Sequence, residues 1–305
     1  MLRVSAVQAA PVLFDPEQSL NLFAAWLKKA ADDKSDLVVF PEAFLGGYPK
    51  GVDFGARVGS RNAEGRALFQ LYFETAFTRD GDAFNQVRAL VKEANINVVV
   101  GLIERDGSTL YCSVATLNRR GEIAGWRRKL MPTAMERLIW GLGDGSTVDV
   151  AYLDETVVSS AICWENYMPL LRQHFYNQRS EVHCVPTVDD RTVWLPSMQM
   201  IALEGRCFVV SACQFMQRKD VKDGITFDAI QGNAPDTVLI NGGSCIVSPL
   251  GEVLAAPIFG KTGLISVNID KGEIARGKFD LDTAGHYARN DVFSLDVNDG
   301  SDASQ

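Results

Sequence analysis

The chain has 305 residues, of which 47% are hydrophobic and 22% are charged. This length and apolar content allow a single large layered domain with a sizeable core. The formal net charge is −8, and no long run of like charges occurs. The sequence therefore argues against a nucleic-acid partner, which would need clustered lysine and arginine.

The sequence contains no segment typical of a secretion signal or a membrane span. The first residues, MLRVSAVQ, turn polar before an apolar signal core could form. Six cysteines form no CxxC pair and lie mostly in apolar runs, at positions 112, 163, 184, 207, 213 and 245. We therefore expect free, buried thiols in a reducing compartment, and predict a cytoplasmic protein with no membrane partner.

Short β-branched runs alternate with segments of helical periodicity along the chain. After a strand at 2–8, the first helix begins at Asp15-Pro16, an N-cap followed by proline. Further elements are predicted in this order: strand 36–40, helices 64–78 and 82–95, strand 96–102, hairpins 109–127 and 148–162, helix 168–178, strand 182–186, helix 193–205, strands 207–213, 244–248, 252–258 and 262–269, and helix 271–278.

This order mixes βα units with hairpins, which favours mixed sheets covered by helices over a purely parallel array. The sequence therefore predicts an α/β sandwich. We expect one domain over residues 1–293, because no repeat or linker divides them, and a polar, disordered tail over 294–305. No GxGxxG or Walker A loop follows a strand, so no nucleotide cofactor is expected.

Glu42 is the first candidate for chemistry. It follows Phe40-Pro41 at the end of the strand 36–40 and has apolar residues on both sides. Active sites of open α/β folds favour the carboxyl ends of strands. A solvated loop glutamate is the simpler interpretation, but the apolar flanks weaken it. A carboxylate in such surroundings has a raised pKa, which suits a general base or acid.

Cys163 is the second candidate, at the junction between a strand and a helix. Trp164 and Glu165 follow it directly, so polar residues begin at the next turn. Such a junction can present a nucleophile above a sheet with backbone N–H groups facing the reacting atom. A buried cysteine is more often structural than catalytic, but the other five cysteines lack this context.

A basic cluster, Arg127-Arg128-Lys129, ends the hairpin 109–127. It could be an ordinary surface cluster at a strand end. Alternatively, one of its cations enters the site, where it would lower the thiol pKa and stabilise negative charge in the transition state. The spacing alone does not choose among the three residues. Glu136, seven residues beyond Lys129, could hold that lysine as its charge partner.

The three histidines, His174, His183 and His286, argue against other chemistries. His174 falls in a predicted helix and His183 in a predicted strand, so structural roles are expected, rather than a Cys–His protease pair. No HExxH motif or other metal-ligand spacing occurs. We therefore expect no metal and no cofactor.

Three segments together resemble the nitrilase superfamily: Phe40-Pro41-Glu42-Ala43-Phe44, Arg128–Thr133 and Ile162–Asn166. The resemblance places the family's catalytic glutamate, lysine and cysteine on Glu42, Lys129 and Cys163, and its second glutamate on Glu136. Further segments are similar to the nitrilase branch of that superfamily, namely Cys163-Trp164-Glu165 and residues 140–146, 201–209 and 285–291.

The resemblance implies an α-β-β-α sandwich that forms a homodimer or a larger homo-oligomer, with the helix at 168–178 in the interface. It also implies hydrolysis of a small-molecule nitrile to a carboxylic acid and ammonia, through a Cys163 thioimidate and thioester. Four residues are expected to line the substrate pocket: Trp164, Tyr48, Pro186 and Thr187.

Some positions depart from the family pattern. Arg127 stands where a histidine is expected, Asn290 replaces a usual proline, and Ala134 replaces a larger or polar residue, which leaves the class of nitrile open. An amidase, a carbamoylase or a nitrile-hydrating enzyme of the same superfamily is the nearest alternative. A non-catalytic scaffold and a metal-dependent hydrolase are more distant alternatives, and the intact set of four candidate residues argues against the first of them.

Overall fold

The computed structural model describes residues 1–299, which form two six-stranded sheets and a small two-stranded one. The first large sheet has the order β14-β1-β2-β3-β4-β5. Its strands are β1 (Leu2–Gln8), β2 (Leu37–Val39), β3 (Asn97–Asp106), β4 (Thr109–Leu117), β5 (Ile123–Arg128) and β14 (Gly263–Ile269). The pairs β1–β2 and β2–β3 are parallel and the others are antiparallel, so the sheet is mixed, as predicted.

The second large sheet has the order β13-β12-β9-β8-β7-β6. Its strands are β6 (Ala151–Leu153), β7 (Thr156–Ser160), β8 (Val182–Thr187), β9 (Phe208–Cys213), β12 (Cys245–Val247) and β13 (Val253–Ala255). Its three central strands, β7, β8 and β9, are parallel to one another. Parallel strands therefore lie at the centre of each sheet. Other parts of the chain cover both faces of these strands.

Six helices complete the fold: α1 (Pro16–Asp32), α2 (Ala63–Glu74), α3 (Asp82–Ala94), α4 (Pro169–Asn177), α5 (Trp194–Gly205) and α6 (Gly272–Gly277). The first begins as predicted, because the Asp15 side chain accepts a hydrogen bond from the Gln18 amide at 3.0 Å and proline follows. Helices α1 and α3 cover the outer face of the first sheet, and α4 and α5 cover that of the second.

Strand alternation divides the apolar runs between two cores. On β2, Leu37 and Val39 belong to the central core between the sheets, whereas Val38 packs outward with residues of α1 and α3. On β9, Val210 faces the central core and Val209 packs with α5. This layering confirms the predicted α-β-β-α sandwich and explains the nearly continuous apolar runs, because both faces of the central strands are buried.

One predicted helix is too long. The helix expected over 64–78 ends at Glu74, and Thr75 closes it with a side-chain hydrogen bond to the Tyr72 carbonyl at 2.8 Å. Phe77 then pairs with β3, accepting a hydrogen bond from Arg105 and donating one to Ile103. The periodicity failed here because residues after Glu74 are extended yet keep an apolar side chain at a helical spacing.

Two strands were missed by the sequence analysis. β10 (Phe215–Gln217) and β11 (Val238–Asn241) form a two-stranded antiparallel sheet with a register shift. They are short, and about twenty residues of irregular chain separate them, so neither carries a hairpin signal. One domain over 1–293 and a tail over 294–305 stay predictions. Residues 294–299 contain no helix or strand, and the others of that tail lie outside the described part.

The ends of several strands converge at one edge of the sandwich. Glu42 follows β2, Lys129 follows β5, Cys163 follows β7 and Thr187 ends β8. β2 also contacts β8 and β9 across the interface between the sheets. This arrangement delivers side chains from both sheets to one buried place, as open α/β folds do at the carboxyl ends of their strands.

Candidate active site

Glu42 is fully buried on a turn that the surrounding backbone holds tightly. Ala43 adopts a left-handed conformation with φ of 52°. Gly101 on β3 lies under this turn, and a Cβ atom there would come within 2.6 Å of the Glu42 Cα. The Gln214 amide donates a hydrogen bond to the Glu42 carbonyl at 2.7 Å. The turn is therefore fixed from both sheets, and Gln214 is a positioning residue that the sequence analysis missed.

Cys163 stands at a sharp turn between β7 and a 3₁₀ helix over Cys163–Tyr167. Its φ is 51°, a left-handed conformation that non-glycine residues rarely adopt and that often marks a functional site. The Asn166 amide donates to the Cys163 carbonyl at 2.7 Å, and the Thr187 hydroxyl donates to its sulfur at 3.2 Å. Cys163 is 4% exposed, so its side chain is almost completely buried.

The structure chooses among the three cations that the sequence left open. Arg128 is partly exposed and pairs with the buried Glu104 and with the exposed Asp106. Arg127 is buried and pairs with Glu165. Lys129 is fully buried and is the cation of this cluster that contacts Glu42.

Lys129 lies between two carboxylates. Its Nζ is 2.7 Å from Oε1 of Glu42 and 2.8 Å from Oε2 of Glu136. Glu136 sits on a 3₁₀ turn, where the Thr133 backbone amide donates to Oε2 at 2.6 Å and the Tyr48 hydroxyl donates to Oε1 at 2.8 Å. The predicted partnership between Lys129 and Glu136 is therefore present, and Tyr48 holds Glu136 from the opposite side.

These contacts set the protonation states of the cluster. Burial raises the pKa of Glu42 to about 6, although the charge of Lys129 and the nearby Cys163 thiol draw it down. Burial, together with the charge of Glu42, raises the pKa of Cys163 above its usual range. Burial lowers the pKa of Lys129, but the charges of Glu42 and of its other neighbours outweigh it and hold the pKa well above the usual range. At neutral pH the Cys163 thiol is therefore protonated and the Lys129 amine is charged.

Glu165 connects the two segments that carry Lys129 and Cys163, a role that the sequence analysis did not predict. Its carboxylate accepts from the Leu130 amide at 2.6 Å and from the Ile162 amide at 2.8 Å. Arg127 donates to both carboxylate oxygens and also to the Ser160 carbonyl. The arginine that stands in place of a family histidine is therefore part of a buried clamp between the two sheets.

His183 supports the cysteine turn and does not act on the thiol. Its ring nitrogens are hydrogen-bonded to the Ser159 hydroxyl at 2.7 Å and to the Asn166 side-chain oxygen at 2.8 Å, and Asn166 in turn binds the Cys163 carbonyl. Burial lowers the pKa of His183 to about 3. The neutral ring therefore braces the turn, which agrees with the predicted structural role.

The four predicted pocket residues differ in their positions. The Thr187 hydroxyl touches the Cys163 sulfur. Trp164 is half-exposed, and its indole donates to Asp189 at 2.7 Å. Pro186 is buried on β8, next to Thr187 and on the opposite face of the strand. The assignment of all four residues to a substrate pocket stays a prediction.

A cavity of about 630 Å³ opens beside the cluster. Tyr48, Glu136 and Trp140 form its inner wall, and the Lys129 ammonium lies 5.9 Å from the centre of the Trp140 ring. Its size is within the usual range of small-molecule sites. Among residues 1–299, no group of three histidine, cysteine, aspartate or glutamate side chains is placed to hold a metal ion. No helix of the same residues is long and apolar enough to cross a membrane.

An α-β-β-α sandwich that gathers a cysteine, a lysine and two glutamates at its strand ends has the architecture of a hydrolase with a cysteine nucleophile. The sequence matches the family model described as carbon-nitrogen hydrolase over residues 3–279. The chain therefore belongs to the carbon-nitrogen hydrolase family.

Named proteins and a solved structure are similar to most of this chain. A nitrilase from Bradyrhizobium diazoefficiens is 49% identical over 300 residues, covering 97% of this chain and 92% of that protein. A bifunctional nitrilase/nitrile hydratase from Nicotiana tabacum is 46% identical over 300 residues, covering 98% and 86% of the two chains. The crystal structure of an amidase from Nesterenkonia sp. shares the fold, with a TM-score of 0.67 over 90% of this chain and 92% of that one, at 17% identity.

Proposed function

We propose that this protein is a nitrilase, which converts an organic nitrile and two water molecules into a carboxylic acid and ammonia. The observation that carries the proposal is the buried cluster in which Lys129 bridges Glu42 and Glu136 beside the Cys163 thiol. The nitrilase names of relatives that align with nearly the whole chain support the same reaction.

In the first step, Glu42 accepts the thiol proton of Cys163 and the sulfur bonds to the nitrile carbon. Negative charge develops on the nitrile nitrogen, where the Lys129 ammonium and the Trp164 backbone N–H stabilise it. The proton on Glu42 then passes to that nitrogen, which gives a neutral thioimidate. Removing one such donor typically costs about 3–4 kcal/mol of transition-state stabilisation. The charge of Lys129 is therefore a main source of transition-state stabilisation in this step.

Glu42 next removes a proton from a water molecule whose oxygen bonds to the thioimidate carbon. The proton on Glu42 and the proton of the new hydroxyl group both pass to the nitrogen, the carbon–nitrogen bond breaks, and ammonia leaves while a thioester remains. A second water releases the acid and restores the thiol. Glu136 and Tyr48 keep Lys129 in place throughout, because the lysine is anchored on the side away from Glu42. Covalent catalysis divides one difficult hydrolysis into easier steps.

Nitrile hydration is the nearest second candidate. If the tetrahedral intermediate breaks its carbon–sulfur bond instead, an amide leaves and the thiol returns in one step. The Nicotiana relative, named as both nitrilase and nitrile hydratase, favours testing this route. Hydrolysis of amides or of carbamoyl compounds would use the same cluster.

The test is a product assay on aliphatic, aromatic and arylaceto-nitriles, each beside its matching amide. We expect ammonia and acid in equal amounts from at least one nitrile, and little turnover of the amides. Cys163→Ala should abolish turnover, whereas Cys245→Ala, which removes a buried thiol outside the cluster, should retain it. Amide as the main product would favour hydration, and turnover of amides alone would contradict the nitrilase proposal.

We also propose that the protein self-associates through its α4–α5 layer and acts in the cytoplasm. Leu170 on α4 and Met200 on α5 expose more than half of their apolar side chains, which is typical of a surface that a partner covers. All six thiols are free and buried, which suits a reducing compartment. Sedimentation of the wild type and of Leu170→Glu tests the self-association, because a charge at this position should weaken a dimer built on this face.

A further inference from the structure

The cavity beside the cluster changes character from its inner wall to its mouth. Inside, aromatic and aliphatic side chains dominate, among them Phe54, Phe69 and Ile139. At the mouth, the lining contains three cationic side chains, Lys50, Arg61 and Arg66, beside the exposed apolar side chains of Met135, Leu138 and Ile230. An apolar chamber that ends in cations is chemically suited to a molecule with an apolar body and an anionic end.

The cations at the mouth have no charge or hydrogen-bond partner among residues 1–299. Within residues 1–299, the arginines whose guanidinium groups form no hydrogen bond, ion pair or ring contact are Arg57, Arg61 and Arg66, all from one short segment before and at the start of α2. Elsewhere in the same range, each arginine contacts a carboxylate, a backbone carbonyl or an aromatic ring.

In the part of the chain that the structure describes, the Lys50 ammonium likewise forms no ion pair or side-chain hydrogen bond. The N–H donors of Lys50, Arg61 and Arg66 are therefore available to a ligand at the mouth of the cavity.

The local charge is opposite to that of the whole chain. The protein carries a formal net charge of −8. The lining of the cavity, by contrast, contains three cationic side chains and only two acidic ones. One of these, Glu136, is already paired with Lys129, and the other, Asp53, accepts a hydrogen bond from the Gly55 amide. An anion that approaches this acidic protein is therefore attracted to the cavity that Glu136 of the cluster lines.

We propose that this site takes nitriles that carry a carboxylate at the end remote from the cyano group, with the apolar spacer in the cavity and the carboxylate at Lys50, Arg61 and Arg66. The inference rests on the proposed nitrilase function and narrows its substrate class. Arginine suits this task because its planar donors match a carboxylate in a bidentate pair.

The first experiment compares matched substrates on the wild-type enzyme. One pair is para-(cyanomethyl)benzoate and its methyl ester, and the other is the mononitrile of adipic acid and its methyl ester. We expect kcat/KM to be roughly three- to tenfold higher for each acid, which is the scale for partly exposed charge pairs. The preference should lie mainly in KM and should shrink as salt is added, since salt screens exposed charges.

The second experiment removes the mouth cations together, in Lys50→Gln/Arg61→Gln/Arg66→Gln. The matched control is Lys34→Gln/Arg57→Gln/Lys92→Gln, which changes the net charge equally at surface positions outside the cavity lining. We expect the acid-to-ester ratio of kcat/KM to fall to about one in the first variant and to stay at the wild-type value in the control.

The outcomes separate this inference from the proposed function. If the esters are hydrolysed as well as the acids by the wild type, or if both triple variants change the ratio equally, the carboxylate site is wrong while the nitrilase function stands. If neither acids nor esters release ammonia, and other nitriles also fail, the proposed function itself is wrong.

Discussion

The segment after β2 and the segment after β7 each carry a fully buried glutamate, and the two carboxylates are bound differently. Glu165 accepts four hydrogen bonds, two from Arg127 and two from backbone amides, so both of its oxygens are used. Glu42 accepts hydrogen bonds on one oxygen, Oε1, from the Lys129 ammonium at 2.7 Å and from the Cys112 thiol at 3.6 Å, while Oε2 has no hydrogen-bond partner in residues 1–299.

Glu165 is therefore a structural carboxylate, whereas Glu42 keeps one oxygen that can still accept a hydrogen bond or a proton. A buried charge that is completely bound stabilises the geometry around it, since moving it would leave several groups unsatisfied. A buried carboxylate with a free oxygen is costly to keep charged, and burial accordingly raises the pKa of Glu42 to about 6. We propose that this free oxygen accepts the proton from Cys163 or from water.

Glu42→Gln gives the largest expected effect on turnover. The amide keeps the shape of the side chain but cannot accept the thiol proton, so kcat should fall by about 10²–10⁴-fold. The fold should survive, because Lys129 keeps Glu136 as its charge partner and the penalty for burying a second charge disappears. Steady-state kinetics together with thermal melting measure the two effects, and a variant that retains near-wild-type kcat would exclude Glu42 as the base.

Glu165→Gln is the matched change in the structural carboxylate, and it should act chiefly on stability. It leaves the Arg127 guanidinium buried without a counter-charge, which typically costs about 3–5 kcal/mol. Chemical denaturation measures this loss. The residual activity per folded molecule should exceed that of Glu42→Gln, since the base is intact.

A double-mutant cycle checks that the two members of the clamp act together. Arg127→Met/Glu165→Leu should be less destabilised than the sum of the two single changes, because removing both partners leaves no orphaned charge. Additive losses would mean that Glu165 stabilises the turns without its arginine.

The smallest expected effect is on the pH profile of the unmodified enzyme. Glu42 must be deprotonated to accept a proton, so kcat/KM should fall as the pH drops through about 6, the pKa to which burial raises this carboxyl. His183 cannot produce this limb, because burial lowers its pKa to about 3. A flat profile down to pH about 4.5, with the fold intact by circular dichroism, would contradict a raised pKa for Glu42.

Much of the fold follows from local patterns. The Asp15-Pro16 helix start, the hairpin over 109–127 and the apolar parallel strands lie where the sequence predicts them. The layered architecture followed too, because runs such as 37–39 must be covered on both faces. The sequence did not predict the extended conformation of residues 75–78 or the β10–β11 pair, because partners far along the chain set these conformations.

The sequence by itself determined which residue types could do chemistry, and a resemblance spread over three motifs selected Glu42, Lys129 and Cys163. Only the tertiary structure decided that Arg127 turns to Glu165, that Gln214 holds the Glu42 turn, and that His183 braces the cysteine. The physical reason is that each of these contacts joins groups many residues apart. Their geometry depends on how the two sheets stack, which no local spacing encodes.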